Sequence, residues 1–182
     1  MKIKTKRTKT VILSYKIKLK HFEDFLRLCS YDKTDVDGFI NLLSKCTEVD
    51  KEIFYNLRFA DLIRFYKELI DSVDKEKDKA PKKAIKVDGR YYKLIDLLNL
   101  PVAFIIDFDL VEQTPSYLLA LCYTETGSYT DERNTIVDER EKIMREADII
   151  DYFRLATFFL NWNNFLQKIK EKSKKNTLNL KR

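Results

Sequence analysis

The spacing of apolar positions changes along the chain, and each spacing predicts a different element. In Thr10–Leu19 the apolar residues Val11, Leu13, Tyr15, Ile17 and Leu19 alternate with Ser14, Lys16 and Lys18. A period of two predicts a half-buried strand. Its lysine row either guards a sheet edge or faces an acidic partner. From His21 to Val73 the period becomes helical. His21–Cys29 predicts a short helix, and Asp35–Lys45 a second one that starts near Thr34 or Asp35. In Phe59–Val73 the residues Phe59, Leu62, Ile63, Tyr66, Leu69, Ile70 and Val73 form an i, i+3, i+4, i+7 stripe, with Asp61, Arg64, Lys67, Glu68 and Asp71 opposite. That is the clearest amphipathic helix of the chain. Residues 74–83 are charged almost throughout and include Pro81, which predicts a solvated linker.

Beyond the linker, Ala84–Lys93 places two β-prone runs around Asp88-Gly89, the pair favoured in a type I′ hairpin turn because both central residues need positive φ. Leu94–Leu110 is apolar, with Pro101 suited to a first helical turn. Thr114-Pro115 opens another helix, and Thr126–Thr130 reads as a loop. Asp131–Arg145 predicts a charged helix with sparse apolar positions at Ile136, Val137, Ile143 and Met144. Asp148–Lys172 predicts a long helix whose stripe runs through Leu155, Phe158, Phe159, Trp162, Phe165, Leu166 and Ile169. Its first half is apolar on nearly every side, so it is expected to bury itself in this domain or against another subunit. The expected fold class is mainly α (α+β): a helical domain with a short N-terminal strand and a small β-hairpin near residues 84–94. The expected parts are a basic arm or strand (1–20), a helical subdomain (21–73), a charged linker (74–83), a hairpin plus helical main domain (84–167) and a basic tail (168–182).

Charge sharpens this division. The chain of 182 residues carries a net +6. Residues 1–20 hold eight Lys/Arg and no acid, and residues 168–182 hold seven Lys/Arg and only Glu171. Residues 21–167 therefore carry 20 bases against 28 acids. An acidic body stands between two basic ends. Cys29, Cys46 and Cys122 form no Cys-x-x-Cys pair and sit among apolar neighbours, so buried reduced thiols and a reducing compartment are expected. Lys16, Lys18 and Lys20 interrupt the N-terminal apolar run, unlike a signal peptide, and no charge-free stretch reaches the ~20 residues of a membrane span. A soluble, cytoplasmic protein is expected.

Little in the sequence points to chemistry. Three glycines are few for phosphate-cradling loops, and the single His21 excludes multi-histidine metal sites. Asp107 and Asp109 would share a face only if they lay on a strand, and no third carboxylate, phosphate loop or base accompanies them. His21 near Glu23 and Asp24 reads as a surface residue, and Cys122 has no histidine nearby. No Gly-x-Ser-x-Gly, Walker, His-Glu-x-x-His or zinc spacing occurs. The chain is therefore expected not to be an enzyme, with no catalytic, cofactor-binding or metal-binding residues, no cofactor and no small-molecule substrate. Arg64-Phe-Tyr-Lys and Arg90-Tyr-Tyr-Lys resemble stacking surfaces for single-stranded nucleic acid, but an acidic body opposes a polyanion. Nucleic-acid contact, the alternative role, would fall to Lys2, Lys4, Lys6, Arg7, Lys9, Lys172, Lys174 and Lys175.

The succession Val87-Asp-Gly-Arg-Tyr-Tyr, Ile-Asp-Phe-Asp-Leu, Pro-Ser-Tyr-Leu-Leu-Ala-Leu-Cys-Tyr, Gly-Ser-Tyr and Ile-Ile-Asp-Tyr-Phe-Arg-Leu-Ala-Thr-Phe-Phe-Leu covers roughly residues 85–167. It resembles the small helical assembly proteins of tailed bacteriophages, including baseplate-hub and tail assembly chaperone-like proteins. The resemblance implies a non-enzymatic virion or assembly protein in the host cytoplasm, or incorporated in the particle. A homo-oligomeric ring, collar or tail component is expected, contacting other virion proteins through Lys16, Lys18, Lys20, Tyr152, Phe159, Trp162 and Phe165.

Overall fold

In the computed structural model, the described residues are 2–4, 10–12, 16–32, 34–97, 114–127 and 135–162. Pro101, Asp107, Asp109, Phe165, Lys6, Arg7, Lys9, Lys172, Lys174 and Lys175 lie outside them. The chain is mainly α with a small antiparallel β component.

Strands β1 (Lys2–Lys4) and β2 (Thr10–Ile12) pair antiparallel, with Ile3 opposite Val11. Of the expected strand Thr10–Leu19, the described residues include β2 at Thr10–Ile12 and residues 16–19. Lys18 makes a single bridge to Asp148, and Leu19–His21 turns into a 3-10 helix. The backbone polar groups here find a partner far away in sequence: Leu19 and Lys20 donate to the carbonyls of Ala147 and Arg145, both at 2.8 Å, and Ile149 donates to Ile17 at 2.8 Å. Alternation survives in the side chains, with Ile17 and Leu19 buried and Lys16 and Lys20 exposed.

Helix α1 (Phe22–Ser30) buries Phe25 and Leu28. Cys29, expected inside, is exposed, because the next position on a helix turns about 100° from Leu28. Cys46 and Cys122 are buried as expected. Helix α2 (Val36–Thr47) starts at Asp35, whose carboxylate accepts the Gly38 N–H at 3.0 Å, and ends at Glu48 in the left-handed region, φ 54°. Helix α3 (Lys51–Tyr55), capped by Asp50, is five residues long and leaves no periodic signal in the sequence. Helix α4 (Phe59–Lys77) runs past Val73 into the expected linker. Lys77 pairs with Asp74 at 2.8 Å, and Arg154 holds the Glu76 carbonyl at 3.1 Å, so these charges extend the helix.

Strands β3 (Ala84–Val87) and β4 (Arg90–Leu94) form the expected hairpin, with Asp88 at φ 47° and Gly89 at φ 80°. A third strand, β5 (Tyr123–Thr124), pairs with Lys93 and Leu94. It follows α5 (Pro115–Cys122), which opens at Thr114 with Pro115 in its first turn. Helix α6 (Thr135–Met144) packs on α5, and its Arg140 donates to the Ala120 carbonyl at 2.7 Å. Helix α7 covers 149–162 of the described residues, and the Asp148 carboxylate caps it by accepting the Ile150 N–H at 3.0 Å.

One buried cluster unites the helices and the three-stranded sheet, with Phe25, Phe39, Phe54, Phe65 and Tyr92 among its large members. Burying each such side chain contributes about 1.5–3 kcal/mol. Phe65 and Tyr66 are core residues, and Tyr92 is buried while Tyr91 is exposed, so neither basic–aromatic motif presents both of its rings to solvent. Among the described residues, no helix is long and apolar enough to cross a membrane.

Candidate partner-binding surfaces

Lys18 and Lys20 project from the same side of the N-terminal segment and meet two carboxylates of their own chain. Lys18 Nζ lies 2.8 Å from Glu48 Oε2 and 2.9 Å from Glu146 Oε2. Lys20 Nζ lies 2.7 Å from Glu48 Oε1 and 2.9 Å from Glu146 Oε1. His21 Nε2 stands 3.3 Å from Glu48 Oε1. The left-handed turn at Glu48 brings its carboxylate under the N-terminal segment, while Glu146 follows α6. Hydrogen bonds from Lys18 and Lys20 hold the Glu48 carboxyl down at about 2 and also lower that of Glu146. Of the three lysines expected to seek an acidic neighbour, Lys18 and Lys20 thus have acidic partners within the chain. Sequence spacing gave no signal for Glu48 or Glu146.

The aromatic residues expected on α7 divide. Phe159 and Leu155 are buried, so Phe159 belongs to the core of its own chain. Tyr152 and Phe153 are half-buried and pack on α1, with Phe22 edge-on to Tyr152 at 5.2 Å. Phe158 and Trp162 are half-buried and stacked, centroids 6.4 Å apart and planes 14° apart. Beside them Leu160 is 64% exposed. Among the described residues this part of α7 presents apolar surface, and Trp162 of the expected set lies in it.

Polar contacts fix α7 against the hairpin and α4. Lys82 Nζ lies 2.6 Å from Asp151 Oδ1, a buried carboxylate. The contact is one of charge: by hydrogen-bond geometry that oxygen has no partner among the described residues. Tyr123 donates its hydroxyl to the Lys82 carbonyl at 2.9 Å, and Arg154 pairs with the Glu76 carboxylate. On α4, Asp61 is held by Arg58 at 2.8 Å and Arg64 at 2.7 Å.

A cavity of about 290 Å³ opens at the start of α5, lined among others by Lys20, Phe22, Glu23, Glu141 and Arg145. Glu141 Oε1 accepts the hydroxyls of Thr114 at 2.9 Å and Ser116 at 3.0 Å, so this carboxylate serves the helix start. Among the described residues no group of three or more His, Cys, Asp or Glu side chains is arranged for a metal ion. Burial pushes the Cys46 thiol up to about 12 and that of Cys122 further. Comparison of the chain with family models, curated proteins and solved structures finds no match.

Proposed function

We propose that this protein is a non-enzymatic structural or assembly subunit, one copy of an oligomeric ring, collar or tail component of a tailed-phage particle. The tailed-phage setting rests on the resemblance of residues 85–167. The observation that carries subunit contact is the last described stretch of α7, where Leu160 is exposed beside the stacked Phe158–Trp162 pair. Apolar side chains grouped at a surface are a common mark of protein contact. The charge division adds a second attraction, because copies with an acidic body and basic ends attract one another in a head-to-tail sense. Such a contact is heterologous, and closes into a ring when the rotation between copies allows.

The variant Leu160→Arg tests this on the full chain by gel filtration with light scattering. The expected result is weaker self-association with unchanged helical circular dichroism. Unchanged assembly would remove α7 from the contact. Nucleic-acid contact through the termini is the second reading, favoured by the eight cations of residues 1–20. It requires affinity for DNA or RNA that falls steeply with salt and disappears when residues 2–9 and 168–182 are removed.

A further inference from the structure

We propose that the surface formed by residues 31, 32, 34–38 and 50–55 seats the basic C-terminal segment, residues 168–182, of a second copy of this chain; the proposal rests on the assembly function above. The surface combines exposed apolar groups, a groove and carboxylates. Val36 is 38% and Tyr55 42% exposed. Helices α2 and α3 contact each other, which sets the α3 end at Tyr55 against α2, and partial desolvation with the charges of Asp37, Glu52 and Asp35 raises the Tyr55 hydroxyl above the usual phenol range. Asp35 holds the groove at the α2 start, since it accepts the Tyr31 hydroxyl at 2.6 Å and the Gly38 N–H at 3.0 Å. The groove, about 390 Å³, is lined by Tyr31, Asp32, Gly38 and Leu42 together with Arg27 and Ser30. Gly38 leaves room for this wall: a Cβ there would meet the Tyr31 hydroxyl and the Asp35 carboxylate, so the Tyr31 side chain would have to shift.

The choice of occupant follows from charge. Residues 31–38 and 50–55 hold five carboxylates against Lys33 and Lys51, and with Arg27 of the groove the cations number three. Residues 168–182 hold seven cations and one acid, interspersed with Ile169, Leu178 and Leu180, which suits a surface of carboxylates around apolar side chains. The N-terminal end is the weaker candidate, because Lys18 and Lys20 already meet Glu48 and Glu146. Twenty residues follow Trp162, a length that spans up to ~70 Å when extended and so reaches a neighbouring copy. Exposed ion pairs are individually weak, so binding requires several of them together with Val36 and Tyr55, and it must weaken with salt.

The test mixes equal amounts of unlabelled and ¹⁵N-labelled full-length protein at low salt, couples contacting amines to carboxylates with a carbodiimide, and reads the products by mass spectrometry. The expected products join lysines of 168–182 in one isotope to Asp37 or Glu52 in the other. Self-association of the double variant Asp37→Lys/Glu52→Lys should weaken at least tenfold, and adding Lys172→Glu/Lys174→Glu should restore it. Cross-links confined to single-isotope chains would overturn the second copy as occupant. Mixed-isotope cross-links to other acids would overturn this surface while leaving assembly intact. A wild-type protein that never self-associates would defeat the assembly function itself. The wild-type cross-links keep the test decisive should the charge-reversed variants fail to fold.

Discussion

Lys20 Nζ and Glu146 Oε1 meet at 2.9 Å although 126 residues separate them in sequence. With Lys18 and Glu48 they form an alternating cluster that fastens the N-terminal segment to the end of α2 and to the turn before α7. Each carboxylate touches both ammonium groups, so removing one acid leaves both cations with a partner.

That redundancy sets the expected pH response. The Glu48 carboxyl sits at about 2 in the folded chain, below its usual value of 4.5, chiefly through the hydrogen bonds from Lys18 and Lys20. Its contribution is complete above about pH 4.5 and disappears as pH falls toward 2. Because the side chain is 40% exposed, solvent screens much of the effect. Glu48→Gln should cost less than about 1 kcal/mol at pH 7, and the gap from wild type should close near pH 2 in urea denaturation. A constant gap from pH 7 to pH 2 would contradict the cluster.

Lys82 and Asp151 behave differently because Asp151 is buried. Lys82→Met leaves a buried carboxylate without its cation and should destabilise by about 3 kcal/mol, whereas Lys82→Met/Asp151→Leu should recover much of that loss. Thermal unfolding of the two variants checks the order. Equal losses would place Lys82 outside the stabilisation of the α7–hairpin contact.

The hairpin turn makes a smaller and cleaner prediction. Gly89 has φ 80° and open space where a Cβ would stand, so Gly89→Ala is strained only through its backbone and should cost about 1 kcal/mol. Denaturation midpoints measure this, and an unchanged midpoint would contradict a type I′ turn.

Alkylation separates the thiols. Cys29 is exposed and should react with iodoacetamide in the folded protein. Cys46 and Cys122 are buried, with thiols raised by that burial, and should react only after unfolding. Intact-mass measurement counts the modifications.

The long elements were legible in the sequence because their periodicity is long. Phe59–Val73 and the Asp88-Gly89 hairpin each carry a repeating or turn-specific signal, and both are present. Helix α3 and strand β5 were not legible: five residues and two residues are too few to establish a period, and β5 directly follows the apolar run of α5. The partner of residues 17–20 was not legible, because their backbone groups bond to residues 145–149, far away in sequence, and the chain turns into a 3-10 helix at Leu19. The same distance hid the acids of the candidate surface. Lys18 and Lys20 were singled out by alternation, but nothing near them in sequence pointed to Glu48 or Glu146. Phe159 was legible as an apolar position and not as a core residue, since a helix that is apolar on nearly every side does not reveal which side is covered by its own chain.

The central claim, that copies of this chain assemble through their apolar and oppositely charged surfaces, is tested most directly by the mass of the full-length protein in solution. Sedimentation equilibrium across micromolar concentrations, at low and high salt, should show a defined oligomer that dissociates as salt rises. A single monomeric mass at every concentration and both salts would contradict it.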